Sequence, residues 1–387
     1  MLDNLDNITS QKTAFRFDIA YQSKISRARV GRIHTPHGVI DTPNFVAVGT
    51  NGSLKALSNH DLESLPLQLM FCNTYHFMVQ PGTEVVREAG GLHSFINRKQ
   101  PIITDSGGFQ VFSLAYGDVA KELKGQGGKK HGSSVLKVSE EGVLFRSYKD
   151  GSKIFLSPET TVQAQKDLGA DIIIPLDELL PFHVTPEQLR ASFERTHRWE
   201  LRSLYEHKTN PKQQAMYAVV HGGTHLDLRK ESCDLLTQHP FDGFSLGGSL
   251  GCDHAGLLTT VENTTPHLPQ EFPVHLLGIG DSKSILPCVK YGIDTFDSSY
   301  PTKIARHGLL LTRQGPLKIN RQDHVRERIP IDKDCGCSTC RNYTRSYLNH
   351  LYKANEPTFA TLATMHNLTF MIEWFSRIRT EILCGLV

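Results

Sequence analysis

Residues 101–110 read PIITDSGGFQ: an apolar run, an aspartate where the run ends, then two glycines. The same grammar recurs along the chain. Apolar, β-rich runs occupy 45–48, 67–72, 101–104, 172–176, 216–220, 244–246, 274–279 and 293–296. Polar or glycine residues cluster at their ends: Asn73, Asp105 with Ser106, Gly107 and Gly108, Asp177-Glu178, His221-Gly222-Gly223, Gly247-Gly248, Gly280-Asp281 and Asp297. Runs apolar throughout suit parallel strands covered on both faces. Helical patterns lie between them at 160–168, 186–204, 228–237 and 282–291. About eight strand-then-helix units predict an α/β fold, and a (β/α)8 barrel over an open sheet. A barrel brings all strand ends to one face, where ligands bind. Any single strand-end aspartate could be a helix cap, but this many polar ends in succession predict a convergent site.

The chain has 387 residues, 39% hydrophobic and 21% charged, as expected of a globular protein. Its formal net charge is only +2, so a polyanion would have to be met by a local basic patch. The first eleven residues lack the basic start and apolar run of a secretory leader. No stretch is long and apolar enough to span a bilayer. A cytoplasmic location without membrane association is expected. Residues 124–134 (KGQGGKKHGSS) suggest an exposed loop. A helix is expected over 366–384, where Leu368, Met371, Phe375, Ile378 and Ile382 recur at steps of three and four.

Three of the eight cysteines form C-x-C-x2-C at Cys335, Cys337 and Cys340. In a reducing compartment that spacing indicates one structural Zn2+ rather than disulfides. Spacing leaves the fourth ligand open between His366, at the start of the last helix, and the nearer His350. Asp105, Asp177 and Asp297 are the candidate working carboxylates. Glycosyl transfer needs one group to attack the anomeric carbon and one to handle the leaving group's proton. A third can accept N–H groups from a purine edge.

These pieces together resemble the queuine/archaeosine tRNA-ribosyltransferase family (tRNA-guanine transglycosylases), the bacterial type most closely. The residues that carry the resemblance are Thr35-Pro36-His37-Gly38-Val39, Asn73-Thr74-Tyr75-His76, Thr104 through Val111 (TDSGGFQV), Leu176-Asp177-Glu178, Gly247-Gly248, Leu277-Gly278-Ile279-Gly280, Phe296-Asp297, Pro301-Thr302 and the cysteine cluster, in family order. The resemblance runs from about Phe15 onward. It implies an irregular TIM barrel, a single domain over 1–387 with a zinc-binding subdomain at about 315–366. It implies exchange of the wobble guanine of tRNAs with GUN anticodons for a 7-deazaguanine base, queuine or the pre-queuosine base, through a covalent aspartyl-ribosyl RNA intermediate.

The family's residue roles carry over by motif. Asp297 matches the nucleophile and Asp105 the general acid/base. Ser106, Gly107, Gly108, Phe109, Asp177, His221, Gly248 and Gly251 fall at base-binding positions, with Phe109 stacking on the base and Gly248 donating from its backbone. Gly278, Ile279, Gly280, Asp281, Ser282, Lys283 and Ser284, and Thr302, Lys303, Ile304, Ala305 and Arg306, match segments that contact the tRNA anticodon loop. The resemblance makes His366 the fourth zinc ligand. It also implies a homodimer, with Tyr343, Tyr347 and His350 at contact positions.

Three departures bear on the substrate. His221 stands where the family usually has glutamine, Leu179 where bacterial members usually have cysteine, and Gly251 where they carry valine. The glycine suggests extra room beside the base's 7-substituent, and so use of queuine. Two rival readings are a non-catalytic tRNA-binding subunit, which would be expected to lose Asp105 or Asp297, and a metal-dependent hydrolase, which would need ligands at the strand ends.

Overall fold

The computed structural model describes residues 15–116, 135–179, 184–251 and 253–387; the 124–134 segment lies outside them. Eight parallel strands close into a barrel: β1 Asn44–Val48, β2 Met70–Cys72, β3 Ile102–Thr104, β4 Ile172–Ile173, β5 Ala215–Val220, β6 Gly243–Leu246, β7 Val274–Leu276 and β8 Thr295–Ser298. Neighbours follow sequence order, and β8 pairs back onto β1. Each expected run overlaps one barrel strand, several of them shortened to two or three residues.

The apolar runs reflect burial on both faces. Along β5, Ala215, Tyr217 and Val219 join Val46, Ile103 and Ile172 in the barrel interior. Met216, Ala218 and Val220 face the other way, into the larger cluster with Phe45, Phe244 and the surrounding helices. The expected helices appear as Pro158–Leu168, Pro186–Thr209, Leu226–Leu236 and Ser282–Lys290. Local chemistry fixes the first two at their starts. Ser157 and Thr185 each form a capping box, and each is followed by proline, whose missing N–H costs nothing in the first turn.

An antiparallel sheet of Arg16–Gln22, Arg29–Thr35 and Gly38–Thr42 contributes Ile33 and Ile40 to the interior cluster and so closes the floor of the barrel. Arg29 fixes it there, donating to both oxygens of Asp294 at 2.9 and 2.6 Å just before β8. Also on the floor, Asp171 accepts the Ile102 N–H at 2.8 Å. His37 and His93 both reach Asp171 and stack 3.5 Å apart at 12°. Parallel rings aim their nitrogen lone pairs side by side rather than at one point, so this trio holds a carboxylate and does not suit a metal ion.

Like the floor sheet, two further features were not expected from the sequence. A second antiparallel sheet, Val135–Val138, Val143–Arg146 and Lys153–Leu156, stands between β3 and the next barrel helix. The last helix spans Pro357–Leu383, nine residues longer at its start than expected. Its first turns carry Phe359 and Ala363 into a satellite core with Leu310, Ile319, Ile331, Leu348 and the three clustered cysteines. Its later turns put Phe375 against Phe45 and Phe296 on the barrel, with ring centroids 6.3 and 5.6 Å away. No helix among the described residues is long and apolar enough to cross a membrane.

Candidate active site and metal centre

Because the strands are parallel, their C-terminal ends share one face, and the candidate residues gather there. In β8, Phe296 packs outward into the helix-facing core, so Thr295 and Asp297 point inward. In β7, Val274 and Leu276 pack outward and His275 points inward, fully buried. Asp297 Oδ1 accepts the Gly278 N–H at 2.8 Å and lies 3.1 Å from His275 Nε2. The other ring nitrogen, Nδ1, is 2.8 Å from the Thr295 hydroxyl. Nε2–H donates to the carboxylate and Nδ1 pairs with the Thr295 hydroxyl, which together fix the ring. Both bonds fall on Oδ1; among the described residues no hydrogen bond reaches Oδ2.

Asp105 follows β3 and is enclosed differently. Asn73 Nδ2 and Gln110 Nε2 donate to Oδ2 at 2.7 and 2.8 Å, and the Thr74 N–H donates to Oδ1 at 2.9 Å. Burial pushes the carboxyl up from 3.8 to about 6, against these three donors, and the nearby Asp177 charge adds to the rise. Asp105 therefore exchanges a proton close to neutral pH.

Asp177 and His221 form a pair, with Oδ2 and Nε2 3.1 Å apart. Gly108 packs against them: a Cβ there would meet the Asp177 carbonyl at 2.8 Å. The Gly108 N–H is turned onto Ser106 Oγ at 3.3 Å. Phe109 is 47% exposed, a flat ring left open to the face. Gly248, with φ +72°, brings its backbone beside His221, where a Cβ would sit 3.3 Å from Nδ1. A cavity of about 110 Å³ opens beside this pair, lined by Leu179, Ser192, Phe193, Thr196, His221 and Gly248 among others.

Gly251 has another reason to be glycine than the one its sequence position suggests. Its φ is +128°, and a Cβ would lie 2.8 Å from backbone atoms of Gly256 and Leu257. The residue is small so that the following helix can pack; it is not shown to open space beside a base, and valine there would strain the backbone.

The two segments expected to meet RNA differ in access. Lys283 and Lys303 are exposed and Arg306 is half-buried, its Nε donating to the Thr302 carbonyl at 3.1 Å. Gly278 is exposed, Ile279 and Asp281 are half-buried, and Ser282 is exposed; Asp281 caps its helix by accepting the Lys283 and Ser284 N–H groups. Thr302 and Ala305, by contrast, are buried, with Ala305 part of the satellite core; Gly280 and Ser284 are buried as well. The side chains of Thr302, Ala305 and Ser284 are packed inside the protein, so an RNA contact at these positions would fall to main-chain atoms. Ile304 packs, partly buried, against the main core.

Cys335, Cys337, Cys340 and His366 converge, with all four donor atoms within 4.8 Å of one another. His366 Nδ1 lies 3.7, 3.5 and 3.3 Å from the three sulfurs. A tetrahedral ion with metal–sulfur bonds near 2.3 Å and a metal–nitrogen bond near 2.05 Å gives S···N edges of about 3.6 Å, so the donor set fits. His366 Nε2 donates to the Leu311 carbonyl at 2.7 Å, which leaves Nδ1 free to ligate. His350, the rival, is exposed on the helix Arg345–Lys353, its ring 6.5 Å from that of Tyr347.

Two residues of this face escaped the sequence reading. His275 interrupts an apolar strand, a polar residue where its neighbours are core; that was its visible signal. Arg229 is a fully buried arginine behind the loops after β5 and β6. It lies on the same helical stripe as the buried Cys233 and Leu236, where an arginine is out of place.

A family model described as queuine tRNA-ribosyltransferase matches residues 23–386. A curated protein of that name from Protochlamydia amoebophila is 62% identical over 370 residues, 96% of each chain. Namesakes from Chlamydia felis and Chlamydia abortus are 57% and 56% identical over 371 residues, covering 96% of this chain and 99% of theirs.

Proposed function

Starting from the fact that the chain belongs to the queuine tRNA-ribosyltransferase family, we propose that it replaces the wobble guanine of tRNAs with GUN anticodons by a 7-deazaguanine base, in two displacements at C1′. The family's activity, guanine exchange in tRNA, is the enzyme's reaction; the roles of individual residues are our reading. The observation that carries it is the contrast between two carboxylates on one face. Asp297 has one oxygen held by Gly278 and His275 and, among the described residues, no hydrogen bond on the other. Asp105 holds a proton up to about pH 6.

In the first displacement an Asp297 oxygen bonds to C1′ as the bond to N9 breaks, and Asp105 gives its proton to the departing guanine. In the second, ionised Asp105 takes the N9 proton of the incoming base, which bonds to C1′ as the aspartyl ester breaks. Two inversions retain configuration, and no ATP is needed because one N-glycosidic bond replaces another. Phe109 stacks on the base, Asp177 with His221 accepts from or donates to its edge, and the Gly248 N–H donates to its carbonyl. Ser106, Gly107 and Gly108 shape that slot. Lys283, Lys303 and Arg306 are the cations placed to meet the anticodon loop.

The metal is one Zn2+, structural because all four ligand positions are protein atoms. The chain acts as a homodimer through the face carrying Tyr343 and Tyr347, whose exposed rings stack 5.5 Å apart. A cytoplasmic setting, with tRNA present and thiols reduced, is part of this reading. The incoming base is queuine or its aminomethyl precursor, and we assign its 7-substituent to the cavity beside Leu179 and His221.

The test is release of labelled guanine from purified tRNA on addition of queuine or the precursor base. Release by wild type, absent in Asp297→Asn, is expected. No release with either base, from folded protein with metal bound, would replace this reading by that of a non-catalytic tRNA-binding subunit.

A further inference from the structure

Arg229 is completely buried in the helix Leu226–Leu236. Its guanidinium gives every bond to a main-chain carbonyl: Nε to Gly223 at 2.8 Å, Nη1 to Val220 at 2.7 Å, and Nη2 to Gly247 and Ser249 at 2.9 and 3.1 Å. Among the described residues no carboxylate pairs with it. Burial lowers it to about 10, which leaves it cationic at neutral pH. An unpaired buried cation is costly, and neutral donors would satisfy four carbonyls at lower desolvation cost. The position of the charge therefore requires a reason.

The carbonyls belong to the last residue of β5 and to the loops after β5 and β6, which present His221 and Gly248. The Gly247 C=O and the Gly248 N–H are two ends of one peptide group. A hydrogen bond received at the carbonyl polarises that group and strengthens the N–H as a donor. The cation is also close: a Cβ on Gly248 would lie 3.8 Å from Arg229 Nη2. We infer that Arg229 is a positioning residue for base exchange, which through the Gly247–Gly248 peptide stabilises the negative charge that builds on the departing guanine. This rests on the reading above in which the Gly248 N–H meets the base carbonyl. The charge on Arg229 is then unbalanced only in the resting enzyme. It is matched in the transition state, when C1′–N9 cleavage pushes electrons onto the base.

Arg229→Gln removes the charge and keeps a donor; Arg229→Lys keeps the charge and loses the fork. The readouts are kcat for guanine release at saturating tRNA and incoming base, the affinity of free enzyme for guanine, and the melting temperature. Arg229→Gln should lower kcat about 30-fold while guanine affinity moves less than about threefold, and Arg229→Lys should stay within about tenfold of wild type. A part that merely holds the loops in shape would lower both quantities together, and lysine would not rescue either. Equal losses of kcat and affinity, or a wild-type kcat in Arg229→Gln, overturn the inference. If the glutamine variant does not fold, lysine decides alone, and a loss larger than tenfold at unchanged melting temperature counts against the charge. No guanine release by wild type would remove the function and this inference together. An active wild type with an equally active Arg229→Gln would remove the inference only.

Discussion

Replacing Asp105 by asparagine should stabilise the protein increasingly as pH rises, while abolishing guanine exchange. The native carboxyl titrates at about 6 against 3.8 for the free group. Between those values the native state holds a proton that the unfolded chain has released. Stability falls with rising pH wherever the native state binds more protons. The loss begins near the unfolded value, is complete once pH passes the folded one, and stays constant above it. A rise of about 2.2 units is worth about 3 kcal/mol in all, at about 1.36 kcal/mol per unit. Roughly half of this is incurred by pH 5, and the rest between pH 5 and pH 8. Asparagine does not titrate, so it escapes that second part. Any constant offset, such as an amide N–H2 facing the Thr74 N–H, cancels in the comparison. Urea unfolding of both proteins across this range, at fixed zinc, measures the difference. The advantage of Asp105→Asn should grow by roughly 1–2 kcal/mol from pH 5 to pH 8. A difference that stays flat, or shrinks as pH rises, would refute the claim that Asp105 is held protonated by burial.

Zinc removal by chelation, or Cys337→Ser, should release one ion per chain and lower the melting temperature, with exchange lost in step with the fold; a fully folded, metal-free, inactive protein would instead mean that the metal serves the chemistry. His275→Phe leaves Asp297 with the Gly278 N–H alone, so kcat should fall about 10–100-fold with the KM for the base little changed; a KM effect without a kcat effect would place His275 in base binding instead. Arg29→Met strands the buried Asp294 carboxylate and should cost about 3–5 kcal/mol in urea unfolding, most of it recovered by adding Asp294→Leu; no recovery would show that the arginine's bonds to the Gln270 and Phe272 carbonyls matter more than the ion pair.

The barrel was legible because two-sided burial writes itself as unbroken apolar runs, and each of the eight overlapped a strand. The antiparallel sheets were not, for the complementary reason. Most of Arg16–Gln22 faces solvent, and charged residues in that strand hide its pattern. The last helix was dated too late because its first turns serve a different core from its later ones, so one periodicity does not run through both. The metal ligand was open between two histidines in the sequence and is settled by reach: His366 begins no helix, but lies buried within one that packs over the cysteine loop.

Legibility of the site divides along the same line. Strand-end aspartates show because an acidic residue after an apolar run is visible without knowing the register. His275 sits within a packed strand, where a shift of one residue reverses inward and outward, so its place shows only once Val274 and Leu276 are seen to face the helices; Arg229 sits on a helix, and its place shows only once the main chain at 220–223 and 247–249 is seen to close around it. Gly251 shows the reverse failure, since a glycine demanded by φ and one demanded by space look identical in a sequence. The family resemblance supplies roles for Asp105 and Asp297, but not the reason that one residue type can fill both. That reason is environmental. Both accept N–H donors, which favour the ionised form. At Asp105 enclosure outweighs three of them and leaves a proton to give. At Asp297 both donors fall on Oδ1, and the proposed function gives the attack to Oδ2. Exposure does not separate the two, since both side chains are buried. The donors do: the segments after β2 and β3 place three around both oxygens of Asp105, whereas His275 in β7 and Gly278 after it place two on one oxygen of Asp297.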